Sequence, residues 1–178
     1  MRRPGRSAAG CLAWLWPLMG CASLGLGLAR GLPDQRRECP GALVPTQQIE
    51  GEFRLRQRVR VQAEGLDWRL TLVAQKRGDT LILIGLDAFG AKEFVLTQQG
   101  TDVSVERPRG RLPYPPINLL RDLHRARFSP AASASGDDVT LLRSGDGGVT
   151  IQHARCGYTA TWIEIEETPL PAPAGPGP

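Results

Sequence analysis

Histidine is almost missing from this sequence: 178 residues carry two, His124 and His153, and neither stands at metal-ligand spacing from another donor. The four cysteines, Cys11, Cys21, Cys39 and Cys156, include no CxxC pair, which excludes a zinc ribbon or a dithiol redox site. A GxSxG elbow, a phosphate-cradling glycine loop and an EF-hand ligand ladder are absent too. Asp137 and Asp138 in "SASGDD", and the run "SGDGG", read as turns. With no nucleophile set beside a base and no metal cluster, the chain is expected not to be an enzyme and to need neither metal nor cofactor. Aromatic residues are few, and Trp68, Phe94 and Trp162 fall on inward phases, so no platform is left for stacking bases. Acids are missing from the first twenty residues. Arg2, Arg3 and Arg6 there account for three of the four net positive charges, which leaves the remainder at +1. So nearly neutral a chain has no global field to attract phosphate polymers, and no nucleic-acid partner is expected.

What is present first is an export pattern. "MRRPGRSAAG" is basic and "CLAWLWPLMG" apolar, the charged and hydrophobic regions of a signal segment over residues 1–20. "LMGCAS" follows, and Leu18, Met19, Gly20 and Cys21 resemble the lipobox of bacterial lipoproteins. That resemblance implies a diacylglyceryl thioether on Cys21 with cleavage before it, and Ala22 resembles the sorting residue of outer-membrane lipoproteins. Two alternatives stay open: Cys11 to Ala29 as one uncleaved anchor, close to the roughly 20 residues a spanning helix needs, or plain secretion. Acyl chains contribute about 0.8 kcal/mol per buried methylene, so membrane lipid is an expected partner and a periplasm-facing outer-membrane location the expected address. In an oxidising compartment Cys39 and Cys156 are candidates for a disulfide; two unpaired thiols are the alternative.

Residues 21–46 are rich in Gly and Pro without periodicity and read as a tether, and 168–178, ending "PAPAGPGP", as a tail that cannot bury enough to fold. Between them, 47–167 form a β domain. "EFRLRQRVRV" sets Arg54, Arg56, Arg58 and Arg60 on one face of a strand and Phe53, Leu55, Val59 and Val61 on the other. The arginine comb reads foremost as a soluble face that resists edge pairing, with anionic headgroups as the next use. "DWRLTLVAQ", "TLILIGL", "KEFVLTQ" and "VSVE" continue as strands. "TLILIGL", apolar on both faces, is expected to be central and covered on both sides. "INLLRDLHRARF" reads as a helix with Ile117, Leu120, Leu123 and His124 along one side. "DVTLLRS", "GVTIQHA" and "GYTATWIEIEE" add three strands, the last with a phase shift between Trp162 and Ile163 that suggests a bulge. The expected fold is mainly β: a curved antiparallel sheet forming a half-open β-barrel with one helix against its concave face.

"GEFRLRQRV", "DWRLTLVAQKRGDTLILIGLDAFGAKEFVL" and above all "LPYPP" followed by "NLLRDL" resemble a family of Gram-negative lipoproteins of unknown function, often encoded beside aryl polyene or fatty-acid-like synthesis genes. More distantly the strand order resembles LolB and LolA, incomplete barrels that accept acyl chains. The resemblance implies a hydrophobic acyl or lipid ligand in a hollow lined by Phe53, Leu55, Trp68, Leu70, Leu83, Phe94, Leu96, Leu120 and Trp162; a hollow filled by its own side chains and the helix is the alternative. It also implies a membrane-touching loop at Phe89 in "DAFG". The expected function is binding or transfer of a lipid, an aryl polyene product or a lipoprotein. The alternative is a structural or assembly lipoprotein docking an envelope protein partner through its comb or sheet edge.

Overall fold

Alternation of apolar and polar side chains builds eight strands in the computed structural model, which describes residues 38–106, 112–129 and 138–170. Cys21, the signal segment 1–20, the apolar run 11–29, most of the expected tether and the end of the tail lie outside the described residues. The strands are β1 (Phe53–Ala63), β2 (Leu66–Arg77), β3 (Thr80–Leu86), β4 (Lys92–Gln99), β5 (Asp102–Glu106), β6 (Val139–Arg143), β7 (Val149–His153) and β8 (Tyr158–Pro169). All pairings are antiparallel, in the order β5-β4-β3-β2-β1-β8-β7-β6, which sets β1 near the middle of one sheet. Between β5 and β6 comes the helix α1 (Pro116–Leu123), which opens with Pro in its first turn and widens into a π-helical turn over His124–Phe128.

One face of the sheet and the helix share a single core. β1 buries Phe53, Leu55, Val59 and Val61 and turns Arg54, Arg56 and Arg58 to the exterior. β2 adds Leu70, Leu72 and Ala74, β3 Leu81 and Leu83, β4 Phe94 and Leu96, and β8 Ala160 and Trp162. From the helix, Leu119, Leu120 and Leu123 close over them, all at most 1% exposed. Gly85 of β3 is required by this packing: a Cβ there would sit 2.2 Å from the Phe94 ring.

Four expectations differ from the structure. The sheet is neither closed nor strongly curled, so the depth of a half-open barrel is not reached. Strands bend at bulges and glycine kinks, and the paired strands shift register between Arg56 and Gln57 against β8 and between Gly85 and Leu86 against β4. The β8 bulge falls at Ile165, two residues later than the phase shift suggests, because Glu164 opposes Gln57 while Glu166 opposes Arg56. β3 is covered on one side: Leu81 and Leu83 are buried, whereas Ile82 and Ile84 on the other face stay half-buried.

The fourth difference concerns residues 38–46, expected as the end of the tether. They form a strap laid across the helix and β4. Cys39 is held three ways: its N–H donates to Asn118 Oδ1 at 2.8 Å, its carbonyl accepts from Arg121 Nη1 at 2.7 Å, and its sulfur is bonded to Cys156. Further along, Val44 N–H donates to His124 Nδ1 at 2.9 Å and Val44 O accepts from Gln98 Nε2 at 2.9 Å. Thr46 N–H reaches Gly100 O at 3.1 Å.

Candidate functional site

The exposed face of β1 carries a row of guanidinium groups with few partners. Alternate residues of a strand lie roughly 7 Å apart, so Arg54, Arg56, Arg58 and Arg60 make a straight comb about 20 Å long. Arg60 is engaged: its Nε and Nη2 donate to the two oxygens of Asp67, both at 2.8 Å, and Arg69 adds a donor at 3.2 Å. The Arg60 hydrogen bonds, then those of Arg69, hold the Asp67 carboxyl well below the usual carboxylate range. Arg54, Arg56 and Arg58, in contrast, are exposed and form no hydrogen bond or ion pair through their side chains among the described residues.

Two depressions flank the comb. One, of about 440 Å³, is bordered by Arg58, Arg60, Arg69, Asp87, Ala88 and Ile163. The other, of about 380 Å³, is bordered by Arg54, Arg56, Val73, Leu86 and Glu166. Glu166 opposes Arg56 in the ladder, where its carboxylate accepts from Thr168 at 3.3 Å. Ile163, opposite Arg58, is 48% exposed, and the bulged Ile165 nearly as much. The first depression ends at the β3–β4 turn. There Asp87 Oδ1 accepts from both Phe89 N–H and Ala91 N–H at 2.8 Å, and Gly90 takes φ 80°. This turn leaves Phe89 96% exposed, the most exposed of the large apolar side chains described.

The residues expected to line a hollow lie on the opposite face. Phe53, Leu55, Leu70, Leu83, Phe94, Leu96, Leu120 and Trp162 belong to the packed core, each at most 9% exposed, and Trp68 packs half-buried against it. Trp68 stands 6.3 Å from both the Phe94 and Tyr114 rings. Their side chains meet one another and the helix, filling the sheet's inner face.

A buried polar cluster lies under the helix, and sequence reasoning passed over it. Asp122 accepts at Oδ1 from His153 Nε2 at 2.7 Å and at Oδ2 from the Tyr158 hydroxyl at 2.9 Å, while Arg125 approaches the same carboxylate at 3.2 Å. Burial, and then the Asp122 charge, push the Tyr158 hydroxyl well above its ordinary value, which keeps it a donor. His153 stacks on the Tyr158 ring at 4.3 Å. Asp122, His153 and Tyr158 are 0–5% exposed, and the cluster joins the helix to the β7–β8 turn beside Cys156. The legible signal was the spacing of Asn118, Arg121 and Asp122, which share one helix face. Among the described residues no three His, Cys, Asp or Glu side chains gather as a metal site.

Residues 54–160, more than half of the chain, match the family described as Protein of unknown function (DUF3261). The chain belongs to that family. None of the curated proteins matches it. The segment matched to DUF3261 opens on Arg54, the first tooth of the comb, includes both the helix that carries Asn118, Arg121 and Asp122 and the Phe89 turn, and closes on Ala160 of β8.

Proposed function

We propose that this DUF3261 protein is a non-enzymatic lipoprotein of the outer membrane, anchored through Cys21 and working by docking: the arginine face of its sheet is its contact surface. One observation carries the reading. Arg54, Arg56 and Arg58 stand in register on a central strand, exposed and without acidic partners among the described residues, while Arg60, Arg121, Arg125 and Arg127 of the same chain each meet a carboxylate. Three like charges spaced along one strand repel one another, and an acidic partner relieves that repulsion. The filled inner face argues in the same direction, since it holds side chains where a carrier would hold a guest.

The test is arginine modification by phenylglyoxal, read residue by residue. Arg54, Arg56 and Arg58 are expected to react more slowly in native envelopes than in detergent-extracted protein, with Arg155 in the β7–β8 turn unchanged. Equal rates in the two preparations contradict a docked face.

Carriage of an acyl or polyene lipid in a LolB-like hollow is the second reading, favoured by the exposed Phe89. It requires the helix to lift from the sheet, uncovering Leu55, Leu83 and Leu96. Under this reading a fluorescent fatty acid binds the purified protein and Leu83→Glu abolishes that binding; under the docking reading no binding is seen.

A further inference from the structure

We infer that the arginine face is a membrane-contact surface and that its occupant is a layer of acidic phospholipid headgroups. The inference rests on the docking reading above and names the partner. Three features of that face lead to lipid rather than to an acidic protein segment. The comb is linear and lies on a broad sheet that is not strongly curled, so Arg54, Arg56 and Arg58 can meet a flat array of charges together. Their planar forks suit phosphate oxygens, which they grip with paired hydrogen bonds.

Apolar groups accompany the cations. Ile163 stands across from Arg58, and the turn that borders the same depression exposes Phe89. Cationic heads beside an exposed aliphatic side chain and one projecting ring form the pattern of a surface that lies in the headgroup boundary, where charge meets phosphate and apolar tips reach the acyl edge. Asp87 and Glu166 also border the depressions, so attraction depends on the three free guanidiniums outweighing two acids.

The same phenylglyoxal reaction tests this with the full chain in vesicles that contain no other protein. One set is phosphatidylcholine alone and the other phosphatidylcholine mixed with phosphatidylglycerol. Arg54, Arg56 and Arg58 are expected to react about fivefold more slowly in the acidic vesicles, the factor that roughly 1 kcal/mol per cationic side chain at an anionic surface gives. High salt should restore their rates, and Arg155 should react alike throughout. A second measurement follows the environment of the face with Phe89→Trp. Its emission is expected to shift to the blue in acidic vesicles and to lose that shift when Arg54, Arg56 and Arg58 are all changed to Gln. Equal arginine rates in the two vesicle types overturn the lipid assignment. If the three arginines are then protected in native envelopes, the occupant is a protein and the docking reading stands; if they react freely there too, both readings fall.

Discussion

His124 shows how one buried side chain can make the fold sensitive to acid. Its Nδ1 accepts from Val44 N–H, so the proton sits on Nε2, where it is shared with Gln98 Oε1 at 2.8 Å. Burial lowers its pKa from 6.5 to about 4. The folded protein therefore keeps the ring neutral through a range in which the unfolded chain binds a proton. Stability from this residue is fully present above about pH 6.5 and is lost as pH falls toward 4, by about 3 kcal/mol in all. Urea midpoints should drop across that window, and His124→Gln should flatten the slope; a variant with the same slope as the parent would show that other groups carry it. Gly85 is a second residue whose identity is set by contact. Gly85→Ala must displace Phe94 from the middle of the core, at an expected cost of about 1–3 kcal/mol in urea denaturation.

Among the elements, the helix depends on two kinds of charge, and they should behave differently when removed. Arg127 pairs with Glu164 and Glu167, which the β8 bulge turns to the same side, but the three side chains are between 27% and 40% exposed. Arg127→Ala should cost less than about 1 kcal/mol. Asp122 is fully buried and serves His153 and Tyr158 together, so Asp122→Ala strands both and should cost about 3 kcal/mol or more. Thermal or urea unfolding of the two variants would separate them, and similar losses would contradict this ranking. The elements themselves were legible wherever alternation is strict, as in "FRLRQRVRV" and "KEFVLTQ". The bulge was displaced because Glu164, Glu166 and Glu167 carry no apolar phase to mark it. The strap was missed for a different reason. Its bonds to Asn118, Arg121 and His124 join residues some 80 positions apart, and a Pro- and Gly-containing stretch bears no local trace of such partners. Curvature was not readable either, because alternation reports which face is buried and says little about how far the backbone bends.

At the scale of the whole molecule, the strap, the helix and the last hairpin are closed into one unit by Cys39 and Cys156, 117 positions apart. A cross-link over so long a loop constrains the unfolded chain by up to about 5 kcal/mol. Reduction should lower the urea midpoint accordingly and raise amide exchange at Val44 and Thr46, whose N–H groups bond across to His124 and Gly100. Unchanged exchange there would mean that hydrogen bonds alone hold the strap. With the inner face filled by core residues and capped by the helix, the proposed docking falls to the outer, arginine-bearing face. Residues such as Leu55, Leu83 and Trp162 were legible as inward-facing; whether they bound a hollow or packed against each other depended on the helix, whose Leu119, Leu120 and Leu123 occupy the space. Native mass spectrometry of the protein taken gently from its membrane is the most direct test of that claim. The expected spectrum is the covalent mass with at most phospholipid adducts that disappear when Arg54, Arg56 and Arg58 are changed to Gln, whereas a fatty-acid or polyene guest retained by that variant and lost on activation would contradict the claim.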